Sequence, residues 1–192
     1  MVKRNSRFET PMQESSLNRF ENCPENEIFP KASIPPETPF FIRLDGWRFG
    51  KLSQKLKTEK PFDKKFAKCF VSSGKILFQK GFNPSLIYVA SDEMNILFTG
   101  TAPFRGRIEK ANSIFAGLVS SAHSLSLLKI FNKGEIVAFD SRIVISSNVE
   151  KIIEYLSWRQ LNTWRNHNNT YTYSHTPKTR KRRLQFSPKF PV

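Results

Sequence analysis

Two short acidic stretches hold the residues best suited to chemistry in this chain. Asp45 closes the run FIRLDG, and Asp92-Glu93 interrupts YVASDEMNILF. Each sits at the end or in the middle of a strand-like apolar run, where a carboxylate costs free energy unless something compensates its charge. The chain has 31 Lys and Arg against 16 Asp and Glu, a formal charge of +15. In so basic a protein, carboxylates at strand ends read as a cation site, and a cation site points to phosphoryl chemistry on a nucleotide or nucleic acid. Oxygen donors without a Cys/His cluster suit Mg²⁺ or Mn²⁺ rather than zinc. Two adjacent carboxylates suit two metals, one activating a hydroxyl and the other holding a triphosphate and its leaving pyrophosphate. Gly46 allows a sharp turn that brings its own carbonyl close to a cation.

Taken singly, each stretch is ordinary: Asp45-Gly46 is a turn and Ser91-Asp92-Glu93 a hydrophilic hairpin tip. What matters is whether the surrounding elements bring them together. Phe40–Leu44 reads as a strand stopped by Asp45-Gly46. Phe49, Leu52 and Leu56 give residues 47–58 helical spacing. Pro61 opens a second helix, with Asp63 early in it and Phe66, Cys69, Phe70, Ser73 and Leu77 on its apolar face. Residues 86–90 and 94–98 form a hairpin whose tip carries Asp92. Residues 104–121 hold another amphipathic helix. Ile136–Phe139 reads as the fourth strand, continued after a kink by Ile143–Ile145. Ser147 with Glu150 forms a capping-box pattern that opens a last helix, reaching to about Trp164.

Strand, helix, strand, strand, helix, strand is the split βαβ order. It predicts an α/β (α+β) fold, an antiparallel sheet with helices packed on one face. The first and third strands are then central and antiparallel, so the end of one lies beside the start of the other. Asp45 and Asp92, 47 positions apart in sequence, become neighbours in space.

At 192 residues the chain can bury one substantial core. The surplus of Lys and Arg favours polyanionic partners. Lys60, Arg105, Arg107 and Lys110 are candidates for neutralising a triphosphate. Arg43, in the middle of an apolar strand, calls for a carboxylate or phosphate partner. Cys23 and Cys69 are too few for a disulfide framework or a structural zinc. The N-terminus lacks the apolar segment of a secretory signal, and no run approaches the ~18 apolar residues of a membrane span. The expectation is a cytoplasmic, reducing setting and no membrane partner. Residues 1–36 read as an N-terminal arm, 37–168 as the catalytic domain and 169–192 as a basic tail. From residue 155 onward there are eight Lys and Arg and no Asp or Glu. That tail reads as an RNA-binding segment, a solvated end or a remnant of a longer C-terminus.

The motifs, in order, are Arg43-Leu44-Asp45-Gly46 with Phe49; Glu59-Lys60-Pro61 with Asp63; Ser91-Asp92-Glu93; Arg107 and Lys110; Phe139-Asp140 with Arg142; and Trp158-Arg159-Gln160 with Arg165-Asn166. The set resembles the histidine-tRNA guanylyltransferase family and its 3′-to-5′ tRNA-repair relatives. The resemblance implies a polymerase-palm-like domain with two Mg²⁺ ions held by Asp45, Asp92 and the Gly46 carbonyl. It implies that Asp45, Asp92 and Glu93 are catalytic, and that Arg43, Phe49, Lys60, Ser91, Lys110 and Arg142 bind nucleotide. The implied activity is nucleotidyl transfer, GTP first, to the 5′ end of tRNA, with GTP and ATP as substrates and a homotetramer as the assembly. The alternatives are a catalytically idle palm that binds nucleotide or RNA, and a nucleotide cyclase. The chain departs from the family pattern at Gly50, where His is usual, at Asn162, where Asp is usual, and in its shortened, divergent C-terminus.

Overall fold

The computed structural model describes residues 32–60 and 62–175, with side chains to residue 172. Strand β1 (Phe40–Gly46) is buried along most of its length. Its even positions Phe40, Ile42 and Leu44 form an apolar face, while its odd face carries buried Phe41 beside the polar Arg43 and Asp45, so both faces need cover. The hairpin β2 (Leu86–Ala90) and β3 (Glu93–Phe98), then β4 (Phe139–Ile145), complete a four-stranded antiparallel sheet in the order β2-β3-β1-β4. All six residues of β3 are buried. β1 and β3 are the central strands, as the split βαβ order requires.

Helices α1 (Phe49–Leu56), α2 (Lys64–Gln79) and α3 (Ile108–Phe131) belong to one side of the sheet. Phe40, Ile42 and Leu44 of β1 meet Phe70 and Leu77 of α2 and Ala111, Phe115 and Val119 of α3 in the main core. Burial of each such side chain contributes roughly 1.5–3 kcal/mol. The last helix, α4 (Val149–His175), lies on the other face, where Tyr155, Ile152 and Leu156 pack on Phe41, Leu97 and Val144. The one-face arrangement expected from the sequence therefore holds for α2 and α3 but not for α4. The cause is the second face of β1 and β3, where Phe41 and Leu97 pack on Tyr155 and where Glu93 and Asn95 bond to Arg159 and Tyr155 of α4.

Several boundaries also differ, among them the end of α3, which runs to Phe131 and not to residue 121. Ile136 is fully exposed, and β4 begins only at Phe139. The N–H groups of Val137 and Phe139 donate to Ser124 and Ser120 of α3 instead of to a neighbouring strand. Asn148, not Ser147, caps α4: its Oδ1 accepts from the Lys151 N–H at 2.9 Å. Helix α4 runs past Trp164, and past residue 168, to His175. At the other end, Ile34 is buried in the main core and Ser33 pairs with Arg107, so core packing starts before residue 37. Among the described residues one helix, α3, is long and apolar enough to span a membrane by length and composition, with mean hydropathy 1.5 over its best window. Here it is the central core helix.

Candidate active site

Residues directly opposite each other in antiparallel strands project to the same face of the sheet. The register pairs Asp45 with Glu93 of β3 and with Asp140 of β4. Three carboxylates therefore form one row across the sheet, on the face that α4 covers. The next row is Asn95, Arg43 and Arg142, and the one after it Leu97, Phe41 and Val144. Asp92 joins the acidic row from the hairpin turn, where Ser91 has φ of +59°. The Gly46 N–H donates to the Asp92 carbonyl at 3.0 Å. The spatial meeting of residues 45 and 92 expected from strand order is thus made through the backbone. Gly46 is required here by close approach, because a Cβ on it would lie 2.5 Å from the Phe49 ring.

The acids differ in what surrounds them. Glu93 is buried, and both of its oxygens are engaged. Arg159 Nε donates to Oε1 at 2.8 Å and Arg159 NH2 to Oε2 at 2.7 Å, while Asn95 Nδ2 donates to Oε1 at 2.8 Å. Tyr155 O–H donates to Asn95 Oδ1 at 2.6 Å. Arg43 Nε lies 3.9 Å from Glu93 Oε2, which supplies the carboxylate partner its position called for. Burial first, then the nearby Glu93 charge, push the Tyr155 hydroxyl above its ordinary value. Glu93 is therefore the hub of a polar network that fixes α4 to the sheet, with no oxygen left idle.

Asp45 is different. Burial, followed by the charges of Asp92, Asp140 and Glu93, raises its carboxyl above the ordinary carboxylate range, and Arg43 only partly offsets them. Asp140 faces the opposite edge and pairs with the exposed Arg142 at 3.3 Å. Asp140 stood inside a quoted motif but not among the candidate acids. Its position opposite Asp45 follows once β4 starts at Phe139.

A cleft of about 490 Å³ opens beside the acidic row. Ser91 and Asp92 line it from the hairpin, Phe49, Gly50 and Ser53 from α1, and Lys60 from the connection to α2. Lys60 Nζ donates to Ser53 Oγ at 2.8 Å. Asp63 holds that connection by accepting from the N–H groups of Phe66 and Glu59, each at 2.9 Å. Burial raises the Asp63 carboxyl, but these backbone donors outweigh it and leave the group below its ordinary value. Thr163, Asn166, His167 and Thr170 line the opposite wall from α4. Of these, the sequence reading quoted only Asn166. Their i, i+3, i+4, i+7 spacing was a usable signal, but only once the helix was known to run past Trp164.

The remaining candidates divide. Phe49 reaches the cleft, but its ring is 2% exposed and packs against Phe66, Phe70, His123 and Phe139. Its role in this fold is to floor the site. Arg43 and Arg142 form the second row behind the acids. Lys110 lies over the Phe104 ring, 5.3 Å from its centroid. Neither it nor Arg105 or Arg107 lines the cleft. They follow the Phe98 end of β3, which pairs with Phe40 at the far end of β1 from Asp45.

The donor set fits a magnesium ion. Among the described residues no three His, Cys, Asp or Glu side chains form a metal cage. Mg²⁺ does not need one: it is commonly bound by one or two carboxylates, with water and substrate phosphate filling the shell. Asp45 and Asp92 supply two carboxylates, the Gly46 carbonyl a third oxygen, and the crowding of like charge on Asp45 favours a cation. Glu93, bound on both oxygens, is not part of that donor set.

A split βαβ sheet with carboxylates at the end of its central strand and a cleft beside them defines a palm-type α/β domain. The chain belongs to the tRNAHis guanylyltransferase family, whose model matches residues 6–147. It is 30% identical over 153 residues to the tRNA(His) guanylyltransferase of Eremothecium gossypii, covering 76% of this chain and 64% of that one. It is 32% identical over 131 residues to the probable tRNA(His) guanylyltransferase of Drosophila melanogaster, covering 67% and 46%. The chain thus spans less than two thirds of the length of either relative. In fold it matches the crystal structure of the Saccharomyces cerevisiae tRNA(His) guanylyltransferase with a TM-score of 0.75, at 24% identity over 88% of this chain and 79% of that one. A bacterial Thg1-like protein solved with GTP matches with a TM-score of 0.71, at 23% identity over 85% and 77%.

Proposed function

We propose that this protein is a magnesium-dependent nucleotidyltransferase that adds a nucleotide, GTP first, to the 5′ end of tRNA in the 3′-to-5′ direction. The observation that carries the proposal is the meeting of Asp45 and Asp92 beside the cleft, with the Asp45 charge disfavoured by burial and by the neighbouring acids and only partly offset by Arg43. Asp45, Asp92 and the Gly46 carbonyl would hold Mg²⁺, which when bound supplies charge neutralisation and an activated hydroxyl. Lys60, on the cleft wall, binds phosphate oxygens, while Ser91 and the α4 residues Asn166 and His167 contact the nucleotide. Glu93 acts from behind by fixing the hairpin and α4, with Arg43 as its second cation. Arg142, on the edge strand away from the cleft wall, acts through its pair with Asp140. GTP and ATP as ligands are supported by the bacterial relative, whose structures were solved with each of them. The setting is cytoplasmic. The assembly is a homotetramer, for which the outer stripe of α4, with Val149, Ile153, Leu161 and Trp164 all more than half exposed, offers an apolar contact face.

The test is incorporation of labelled GTP with Mg²⁺ into tRNA that bears or lacks its 5′-terminal nucleotide. Transfer by the parent and its loss in Asp45→Ala and Asp92→Ala is the expected result. A folded parent that incorporates nothing overturns the enzymatic reading, and transfer that survives both substitutions overturns the site. Addition to intact histidine tRNA means identity-element synthesis. Addition only to the shortened tRNA means repair.

A further inference from the structure

The outer side of α2 carries a pattern that the catalytic reading leaves unused. Phe62, Asp63, Phe66, Ala67 and Val71 line the cleft. Just beyond them around the helix, Lys64, Lys68, Val71, Lys75 and Phe78 follow one another at i, i+4, i+7, i+11 and i+14. That spacing places them on one stripe, about 21 Å long at 1.5 Å per residue. The three lysines are exposed. Phe62, Val71 and Phe78 are 61%, 55% and 52% exposed. No Asp or Glu occurs from residue 64 to residue 91. A lysine face that serves only to stay hydrated has no need of exposed phenylalanines among its charges. Here three lysines are bracketed by open rings, Phe62 before Lys64 and Phe78 after Lys75. Cations beside open rings suit a single-stranded nucleic acid, with phosphates neutralised by lysine and unpaired bases stacked on rings. A paired helix offers phosphates but few free base faces, so it would use the lysines and ignore the rings.

We propose that this ridge is a docking surface for an unpaired segment of the RNA, held beside the cleft at Phe62. The proposal rests on the RNA-directed reading of the cleft and adds to it a surface that takes a single-stranded part of the substrate, separate from the paired end that reacts. Charge complementarity selects a polyanion as occupant, and the rings select one with unstacked bases.

The experiment is fluorescence anisotropy of a labelled single-stranded RNA and of the same RNA in a duplex, over a salt series. The proteins are the parent, Lys64→Gln/Lys68→Gln/Lys75→Gln and Phe62→Ala/Phe78→Ala. Folding of each variant is verified by thermal shift with Mg²⁺ and GTP. The lysine variant is expected to weaken single-strand binding tenfold or more and to lower the salt slope by about 2, at ~0.7 per phosphate. The phenylalanine variant is expected to weaken single-strand binding about tenfold, with little effect on duplex. Unchanged affinity and salt slope in the lysine variant overturns the proposal. So does an equal loss of duplex binding in the phenylalanine variant. Flotation with anionic vesicles that depends on the ridge, while RNA binding does not, overturns it in favour of a membrane surface. A parent that binds RNA through the ridge yet incorporates no nucleotide leaves this proposal standing and overturns the enzymatic one.

Discussion

Glu93 and Asp45 stand opposite each other on adjacent strands, yet they occupy different electrostatic worlds. Glu93 is buried and saturated: Arg159 grips it with two bonds, Asn95 adds a third, and Arg43 stands behind. Asp45 is part-exposed and faces other acids. A carboxylate whose charge is answered in the fold stabilises structure. One whose charge is left unanswered stores repulsion that a ligand can relieve. Position in sequence does not separate the two, because both belong to strand-end acidic motifs. Their partners do.

The largest expected effect falls on the unanswered side. Asp92→Ala and Asp45→Ala each remove a candidate metal carboxylate, worth several kcal/mol of transition-state stabilisation. Nucleotide incorporation should fall about a thousandfold or more, while the melting temperature without metal stays near that of the parent or rises. A similar fall in melting temperature would show that these acids, too, are structural.

Glu93→Gln tests the answered side. It leaves Arg159 and Arg43 beside a neutral amide, and breaking a buried pair in this way costs about 3–5 kcal/mol. Denaturant unfolding should show that loss, together with increased protease sensitivity of α4. A variant of parental stability and reduced Mg²⁺ affinity would move Glu93 into the metal site.

His123 sharpens the comparison from inside the core, where a titratable group is unanswered but neutral. It sits among Phe49, Phe66, Phe70 and Phe139, with Nδ1 3.1 Å from Ser73 Oγ. Because Ser73 donates to the Cys69 carbonyl at 2.7 Å, its oxygen is left to accept from the Nδ1–H. Nε2 is buried without a partner. Burial lowers the imidazole from its usual value to about 4. The folded state therefore binds this proton less readily than the unfolded chain does. Its stabilising contribution is complete above the unfolded value of 6.5 and is lost progressively as pH falls to about 4. The loss amounts to about 3 kcal/mol, at ~1.4 kcal/mol per pH unit. Unfolding free energy measured against pH should slope across that window in the parent, and the slope should shrink in His123→Phe. An unchanged slope would place acid sensitivity elsewhere.

The convergence of residues 45 and 92 was legible because strand order alone determines it, and that order follows from alternating apolar runs and one tight hairpin. The existence of α2 was legible from its apolar spacing, but its start was not: the expected opening at Pro61 gives way to Lys64 because Asp63 caps the helix from outside, its Oδ1 accepting from the Phe66 N–H. The distinction between Glu93 and Asp45 was not, because it depends on Arg159, 66 positions from Glu93 and on a helix whose placement comes from the second face of β1. Asp140 was hidden by the apparent strand at Ile136, whose β-branched and apolar character is overridden when α3 serines take the backbone donors. The α4 wall of the cleft was hidden by Asn166, His167, Asn168 and Asn169, weak helix formers that looked like an end. Lys110 was misplaced for the opposite reason, since spacing along a helix does not say which end of the sheet the helix starts from.

The smallest predicted effect has the opposite sign to that at Glu93. Asp45→Asn keeps the size of the side chain and removes a charge that burial disfavours and that Asp92, Asp140 and Glu93 repel. A carboxylate whose folded value lies above its unfolded one favours the folded state most when protonated, so the fold without metal gains stability as pH falls toward that value. At neutral pH the penalty is present, and the asparagine variant escapes it. Its melting temperature without metal should exceed the parent's by a margin that narrows in high salt, as screening weakens the repulsion. Mg²⁺ should raise the parent's melting temperature more than the variant's, because the variant has less repulsion to relieve and one ligand fewer. If Asp45→Asn instead destabilises the protein as Glu93→Gln does, the two acids share one structural role and the contrast between them fails.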